Sequence, residues 1–474
     1  MLLSQLSAGA APIEISSLAY DSRAVTPGAL FFCVRGSHSD GHEHAGDALA
    51  RGAVALVVER PLGLGLPEVE VPSARAAMAE IAVRFYEDPS ATLEVIGVTG
   101  TNGKTTSVFL LAGLLDAAGR QCGLLGTVKS VIGGREGPVL RTTPEAIDLQ
   151  ASFRAMLDGG DTAAAIEVSS HALAQHRVDG TRFAAALFTN LTQDHLDFHA
   201  TMEAYFAAKR SLFLGELPLR VINVDDPYGR RLLAEHPDAV TFALSSPAAD
   251  YGARELRFGV AGAHFVATTP AGELELSSRL PGAFNVANVL GAVATAHSMG
   301  VSLELIAAAL PTIAPAPGRF QALDEGQPFT VLIDYAHTPD SLENVLRAAR
   351  SLTDGRLLSV FGCGGDRDRG KRPQMGRISA TLADITLVTS DNPRSEDPAA
   401  IVAEIVAGIE AGGATVETIV DRRAAIARAL SLAGPGDVVV IAGKGHEQGQ
   451  EFAGGHKLPF DDAQVARARL RTLA

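Results

Sequence analysis

Gly100-Thr101-Asn102-Gly103-Lys104-Thr105-Thr106 follows the apolar run Val95-Ile96-Gly97-Val98 and precedes Val108-Phe109-Leu110-Leu111. The first run reads as a buried strand, the second as the start of a helix. A strand, a glycine turn and a helix opening on Lys-Thr form a phosphate cradle. Glycine lets backbone N–H groups approach phosphate oxygens, and the helix N-terminus adds partial positive charge. Lys104 supplies a cation for terminal phosphates, and Thr105 supplies a hydroxyl for Mg²⁺. The common G-x-x-x-x-G-K-[ST] spacing is not kept, because Val98 stands where its first glycine belongs. The stretch reads as a related nucleotide loop; the plain alternative is an ordinary strand–helix turn.

Around this loop the chain is that of a globular protein. Its 474 residues suggest two to four domains with ample core. It is 47% hydrophobic and 20% charged, with 54 acidic against 40 basic residues and a net charge of −14. That balance argues against bulk nucleic-acid binding, which needs a basic footprint. Cys33, Cys122 and Cys363 are far apart and odd in number, which fits reduced thiols rather than a disulfide framework or a zinc site. No cationic residue precedes the apolar start Met1-Leu2-Leu3-Ser4, so no signal peptide is expected, and no uncharged apolar run is long enough to span a bilayer. The expected location is cytoplasmic, with no membrane insertion.

Three segments follow, with an α/β fold class overall. Residues 1–88 hold strand-like runs at 29–34 and 54–58 and a helix over 74–86, closed by Asp88-Pro89-Ser90. Residues 89–317 alternate apolar strands (93–98, 121–126, 163–168, 184–189, 219–224) with helices (104–118, 145–157, 202–213), which predicts a parallel sheet covered by helices. Short β-like runs over 255–279 suggest a small antiparallel addition, followed by a helix carrying Asn285 and Asn288 and a Pro-rich linker from Pro311 to Gly318. Residues 318–474 again alternate, with strands at 330–334, 357–361, 385–389 and 437–442, in a Rossmann-like layout without G-x-G-x-x-G.

Ligands of open α/β sheets gather at the carboxyl ends of strands. In the middle segment those ends carry the loop at 100–106, Glu167-Val168-Ser169-Ser170-His171, and Thr189-Asn190-Leu191-Thr192-Gln193-Asp194-His195. Thr105, Glu167 and His195 offer oxygen and imidazole donors compatible with Mg²⁺ beside ATP phosphates; Glu167 and His195 also suit helix caps or loops. Lys209 lies in Tyr205-Phe206-Ala207-Ala208-Lys209-Arg210, and on composition alone it reads as solvated surface. In the last segment, Asp334-Tyr335-Ala336-His337, Gly364-Gly365-Asp366-Arg367, Asp391-Asn392-Pro393-Arg394 and Gly443-Lys444-Gly445-His446-Glu447 follow four successive strands. Charged residues at four strand ends point to a binding face.

Gly100 to Thr106, Glu167 to His171, Asp194-His195, Asp334 to His337 and Asp391 to Arg394 together resemble the Mur ligases of peptidoglycan synthesis, over nearly the whole chain and in order. The resemblance implies three domains: a small N-terminal α/β domain (1–88) for the uridine nucleotide, a central P-loop-type ATPase domain (89–317), and a C-terminal Rossmann-like domain (318–474) for the incoming amino acid. It implies ligation of a diamino acid to UDP-MurNAc-L-Ala-D-Glu through an acyl phosphate, with ATP and Mg²⁺, by a monomer. Lys104, His195 and Lys209 become catalytic residues, Lys209 as an N6-carboxylysine, and Thr105, Glu167 and His195 become Mg²⁺ ligands.

The same resemblance carries Gly100, Thr101, Asn102, Gly103, Lys104, Thr105, Thr106, Asn288, Arg319 and Asp334 to ATP. It carries Tyr20, Ser22, Ser37, His38, Ser39, Arg141, Thr142, Thr143, Ser169, Gln175 and Arg177 to the UDP-MurNAc-dipeptide. Arg367, Asp391, Asn392, Pro393, Arg394, Gly443 and Glu447 fall to the amino acid. Arg141 departs from the family, which commonly has Asn there. The Asp391 to Arg394 form goes with meso-diaminopimelate, whose distal carboxylate would pair with the Arg394 guanidinium. Lysine or ornithine would leave Arg394 unpaired, a difference of roughly 10- to 100-fold; ligation of either stays an alternative. So do a sister Mur ligase, a folylpolyglutamate synthetase and, from another class, a nucleotide-dependent regulator or transport ATPase.

Overall fold

The computed structural model describes residues 1–36, 39–409 and 415–473. Their packing forms two interleaved compact units: residues 1–99, 119–186 and 208–218 in unit one, and residues 100–118, 187–207 and 219–474 in unit two. These units are drawn by packing and do not follow the three segments read from the sequence.

Unit one opens with four parallel strands in the order Ser17–Ala19, Ala29–Phe32, Ala53–Val58, Glu68–Glu70. Every residue of Ala29–Phe32 is buried, which is why that run lacks alternation. Leu30, Phe32, Ala55 and Val57 pack on one face with Met78, Ile81 and Ala82 of the helix Ala74–Phe85. Phe31, Leu56 and Val58 pack on the other with Ala45 and Ala48 of the helix Ala45–Ala50. Ser73 caps the first helix by accepting from the Ala76 N–H. The second sheet of the unit centres on Glu94–Thr99, paired in parallel with Ala163–Glu167, which pairs in parallel with Cys122–Leu125. The strands Ser130–Ile132 and Arg135–Gly137, a hairpin at its edge, were not foreseen. The helix Ala146–Asp158 buries Ala146 and Ile147 in the same core as Met78.

In unit two the helix Lys104–Ala117 packs on the helix Ala283–Ser298. The small addition is a three-stranded antiparallel sheet of Gly252–Gly259, Gly262–Thr269 and Gly272–Ser278. A six-stranded sheet runs Gln321–Leu323, Thr330–Asp334, Val438–Ala442, Leu357–Phe361, Ile385–Val388, Thr415–Thr418. Only its first pair is antiparallel. Strand period two sorts its side chains onto opposite faces. Leu332, Val438 and Val440 meet Leu342, Met375 and Ile401 of the helices Pro339–Arg350, Lys371–Leu382 and Pro398–Val406. Val331, Ile333, Val439 and Ile441 meet Ile426 and Val465 of the helices Arg422–Leu432 and Asp462–Leu470. Each such fully buried aliphatic side chain stabilises by about 1.5–3 kcal/mol. Val438–Ala442, the last of this sheet's strands in the chain, lies between Thr330–Asp334 and Leu357–Phe361, so the winding reverses there and opens a crevice at the carboxyl ends of the three.

The three cysteines are buried thiols. Among the described residues, no helix is long and apolar enough to cross a membrane.

Candidate functional site

The nucleotide loop belongs to unit two. Gly103, at φ 89°, is the N-cap of Lys104–Ala117, and a Cβ there would stand 2.2 Å from Asn288 Oδ1. Asn288 is thus pressed against the loop it was expected to serve. Lys104 Nζ donates to the Gly100 and Thr101 carbonyls at 2.9 and 2.8 Å. Thr105 Oγ1 accepts from Arg319 Nη2 at 3.0 Å, and the Arg319 guanidinium lies 4.5 Å over the Tyr335 ring. The Asn102 backbone N–H donates to Asn190 Oδ1 (2.9 Å), and its carboxamide donates to Asp340 Oδ2 (2.6 Å). Burial pushes the Asp340 carboxyl above its usual range, partly offset by the Asn102 bond. Asp334 accepts from the Phe320 and Ala336 N–H groups at 2.7 and 2.8 Å, so it shapes the turn on which Arg319 and Phe320 sit.

A cavity of about 240 Å³ lies at the reversal of the sheet in unit two. Arg367, Asp391, Asn392, Arg394, Gly443 and Glu447, all expected to hold the amino acid, line it; Pro393 does not. Gly443 has φ 117°, and a Cβ there would meet Asp391 Oδ2 at 2.5 Å. The fully buried Lys444 donates to Asn392 Oδ1 at 2.8 Å and Glu447 Oε2 at 2.9 Å. Burial raises Glu447, but the Lys444 charge outweighs it and holds the carboxyl low. Behind them the buried Arg422 makes a two-pronged pair with Asp462 (2.8 and 2.7 Å) and donates to the Ala442 carbonyl at 2.8 Å, pinning a strand end.

One expectation is corrected here. Arg394 has a partner in the protein: its Nε donates to Glu451 Oε2 at 3.1 Å and its Nη1 to the Gly365 carbonyl at 2.8 Å. Glu451 ends the strand Gly449–Glu451, which pairs with Lys457–Pro459 in a ribbon no run of the sequence announced. Lysine in the pocket therefore does not leave the guanidinium bare.

Sequence reasoning also passed over His337 and Lys371, which line the same cavity with Asp194 and His195. Lys371 Nζ donates to the His337 carbonyl at 2.8 Å. Burial pushes Asp194 up, but the charges of His195, His337 and Lys371 outweigh it and hold the carboxyl at about 2. Burial and the Lys371 charge lower His337. His195 adopts a left-handed φ of 54° at the start of Leu196–His199, with its Nε2 3.4 Å from Asp194 Oδ2. The available signals were the position of His337 just after the strand Thr330–Asp334 and that of Lys371 at the start of the helix Lys371–Leu382, behind a charged loop.

In unit one, Glu167 is buried and accepts from Thr127 N at 2.8 Å and Thr127 Oγ1 at 3.0 Å. Thr127 Oγ1 in turn lies 3.0 Å from Thr142 Oγ1. Thr143 Oγ1 donates to the Glu167 carbonyl and accepts from the Ser169 N–H, at 2.8 and 3.1 Å. Arg177 donates to the Thr143 carbonyl at 3.1 Å and to Gln175 Oε1 at 2.6 Å. Thr142, Thr143, Ser169, Gln175 and Arg177 are thus one network. Lys209, on Met202–Arg210, is only 1% exposed, which overturns its reading as surface. Tyr20 donates to Asp148 Oδ2 at 2.6 Å; burial and then Asp148 push its phenol up to about 12. Ser22 starts a short helix capped by Asp21, and Ser39 Oγ lies 2.8 Å from His44 Nε2. Ser37 and His38 lie outside the described residues. Thr105 and His195 fall in unit two and Glu167 in unit one. Among the described residues, no three His, Cys, Asp or Glu side chains are grouped to hold a metal ion.

A strand–loop–helix nucleotide cradle and a strand-end cavity rich in both charges define a multidomain ligase. Residues 14–86 match the Mur ligase family catalytic domain, 98–296 the Mur ligase middle domain and 318–445 the Mur ligase glutamate ligase domain. A UDP-N-acetylmuramoyl-L-alanyl-D-glutamate–2,6-diaminopimelate ligase of Geobacillus thermodenitrificans is 47% identical over 97% of this chain and 95% of its own length. A solved structure of a ligase of that name has a TM-score of 0.71 at 35% identity, over 100% of this chain and 99% of its own. The fold also matches a MurF ligase from Thermotoga maritima in complex with ADP, at a TM-score of 0.66 and 19% identity, over 96% of each chain. The chain belongs to the Mur ligase family.

Proposed function

We propose that this enzyme adds meso-2,6-diaminopimelate to UDP-N-acetylmuramoyl-L-alanyl-D-glutamate, converting ATP to ADP and phosphate. The observation that carries this reading is the cavity in which Arg367 and Arg394 stand with Asp391 and Glu447. With Lys371, Asp194, Asp197 and Asp368 on the same walls, the cavity offers charges of both signs to a molecule bearing two carboxylates and two ammonium groups.

A carboxylate is a poor electrophile, so the glutamate side-chain carboxylate takes the γ-phosphoryl group of ATP. The amine of the incoming amino acid then attacks the acyl phosphate. The tetrahedral intermediate expels inorganic phosphate, and the amide bond remains after the nitrogen loses its proton. Phosphoryl transfer between anions requires dense positive charge. Lys104 provides it from the loop, with Arg319, Asn288 and Asp334 placing the adenine nucleotide. Thr105, Glu167 and His195 are the residues that would hold Mg²⁺, and their hard oxygen and imidazole donors suit it. That ion would neutralise phosphate charge. Asp194, held ionised, faces the Lys371 charge from beside His195 and His337.

Lys209 is the proposed site of N6-carboxylation. A buried ammonium is costly, and a carbamate would replace it with an oxygen ligand. The domain division 1–88, 89–317 and 318–474 assigns the uridine nucleotide, ATP and the amino acid in turn. Tyr20, Ser22, the 37–39 loop, Arg141, Thr142, Thr143, Ser169, Gln175 and Arg177 hold the nucleotide dipeptide. The enzyme is read as cytoplasmic, where ATP is supplied, and as a monomer.

Addition of lysine or ornithine is the second reading, favoured by the Glu451 partner that keeps Arg394 satisfied. Phosphate release is measured over an amino-acid panel with the UDP-dipeptide and ATP. Release that requires both the dipeptide and diaminopimelate is expected; a higher rate with lysine or ornithine sinks the specificity, and release without any amino acid sinks the ligase.

A further inference from the structure

Arg372 is fully buried, yet it stands in the first turn of Lys371–Leu382. A cation there is opposed both by the helix dipole and by the loss of water. Carboxylates hold it. Its Nη2 donates to Glu396 Oε1 at 2.7 Å and to the Gly364 carbonyl at 3.2 Å. Its Nη1 donates to Glu396 Oε2 at 2.9 Å and to Glu404 Oε2 at 2.8 Å. Burial lowers Arg372, but the bonds to Glu396 and Glu404 outweigh it and raise the guanidinium. The Arg372 bonds hold the Glu396 carboxyl down at about 2. All of these residues are in unit two.

Glu404 lies on Pro398–Val406, whose Ile401 and Ile405 already pack with Met375 in the apolar layer. That arm is an anchor. Glu396 differs, because it lies in the loop after Arg394 and belongs to no helix or strand. Its Oε1 also accepts from the Asp366 N–H at 2.6 Å. Asp366 in turn accepts from the Ser395 hydroxyl at 2.6 Å and the Ser395 N–H at 3.1 Å. The Gly365 N–H donates to the Asn392 carbonyl at 2.9 Å, and a Cβ on Gly365 would stand 1.9 Å from the Pro393 carbonyl oxygen. The two loops are laced together along their length. Asp366 and Arg394 both take a left-handed φ, 53° and 50°, which such residues keep only where the surroundings impose it. An ion pair this deep adds little net stability, and the apolar layer packs the helices without it. What the lacing fixes is the spacing of Arg367 and Arg394 on the cavity wall.

We propose that Glu396 and Arg372 are positioning residues that set the distance between Arg367 and Arg394, and with it the choice of a diamino acid that carries a second carboxylate. This rests on the function proposed above. Neither residue lines the cavity, so each acts through the loops. Arg394 Nη1 donates to the Gly365 carbonyl, and a shift of residues 364–366 therefore moves the guanidinium that would meet the distal carboxylate. A charge-assisted bond between guanidinium and carboxylate depends on its geometry. An arginine aimed wrongly loses that carboxylate, whereas lysine has none to lose.

The test is steady-state kinetics of Glu396→Gln, with diaminopimelate, lysine, ATP and the UDP-dipeptide each varied in turn. The amide keeps the shape and can still accept from Asp366, but it no longer pairs with the Arg372 charge. The KM for diaminopimelate is expected to rise about tenfold, while kcat and the KM values for ATP and the dipeptide stay within about twofold. The ratio of kcat/KM for diaminopimelate over lysine then falls about tenfold. Ser395→Ala removes only the hydroxyl bond to Asp366, at an exposed position, and is expected to lower the same ratio by about threefold. Should Glu396→Gln fail to fold, Ser395→Ala carries the test alone. Equal losses on diaminopimelate and lysine, a parallel rise in the KM for ATP, or an unchanged ratio overturns the inference and leaves the clamp as framework. A wild-type enzyme that uses lysine as well as diaminopimelate removes the functional reading itself, and the inference with it.

Discussion

The carboxamide of Asn102 donates to the carboxylate of Asp340 at 2.6 Å, tying the nucleotide loop to the first turn of Pro339–Arg350. Asp340→Ala leaves that amide without its acceptor, a loss of about 1.5–3 kcal/mol for a bond to a charged group. The KM for ATP is expected to rise by roughly 10- to 100-fold while the KM for the amino acid changes little. Steady-state kinetics with each substrate varied in turn checks this.

At Gly103 the left-handed backbone and the closeness of Asn288 both exclude a side chain. Gly103→Ala is expected to lower stability by about 1–3 kcal/mol through strain and through the clash. Asn288→Ala in the same chain removes the clash and leaves the strain, so the double variant melts above the sum of the single losses. Strict additivity in denaturant unfolding would show that the two do not meet.

Lys444 ties Asn392 to Glu447 from a fully buried position. Lys444→Met removes the ammonium and leaves the half-buried Glu447 with the Asn392 amide as donor but without its cation. The KM for the amino acid is expected to rise at least tenfold, with ATP binding retained; unchanged amino-acid kinetics would reduce Lys444 to a packing residue.

Glu451→Gln frees the Arg394 Nε from its carboxylate. The distal carboxylate of diaminopimelate then has the guanidinium to itself, while lysine loses an anion near its ammonium. The ratio of kcat/KM for diaminopimelate over lysine is expected to grow by roughly 10-fold or more. A ratio that stays constant separates Glu451 from selectivity.

Asp194 sits at about 2, below its ordinary 3.8, since the charges of His195, His337 and Lys371 outweigh its burial. A depressed carboxylate contributes stability that is complete above 3.8 and is lost as pH falls through about 2. The contribution is on the order of 2 kcal/mol. Unfolding free energies measured between these limits are expected to fall less steeply in Asp194→Asn than in the parent.

The buried strands were legible because apolar runs such as Thr330–Asp334 and Leu357–Phe361 have no other use. The polar edge strands Gln321–Leu323 and Thr415–Thr418 were not, since half-exposed residues carry no apolar pattern. The strand-end rule led to the cavity residues, because each lies where its strand stops. Lys209 escaped it: nothing in a lysine's neighbours along the chain tells whether the fold buries it. Arg75 and Glu145, paired at 3.1 Å across 70 positions, escaped for a different reason, because spacing within one segment does not contain such a pairing.

The ribbon of Gly449–Glu451 and Lys457–Pro459 supplies no side chain to the two apolar layers of the large sheet. It is tied to the cavity instead, where Gln450 Nε2 donates to the Asp391 carbonyl at 2.6 Å and the Glu451 N–H donates to Asn392 Oδ1 at 3.0 Å. A lineage whose cell wall demands another diamino acid can rewrite the charge beside Arg394 there without touching the framework. The same segment is therefore a natural place for grafting between relatives, where selectivity changes hands and the architecture is inherited intact.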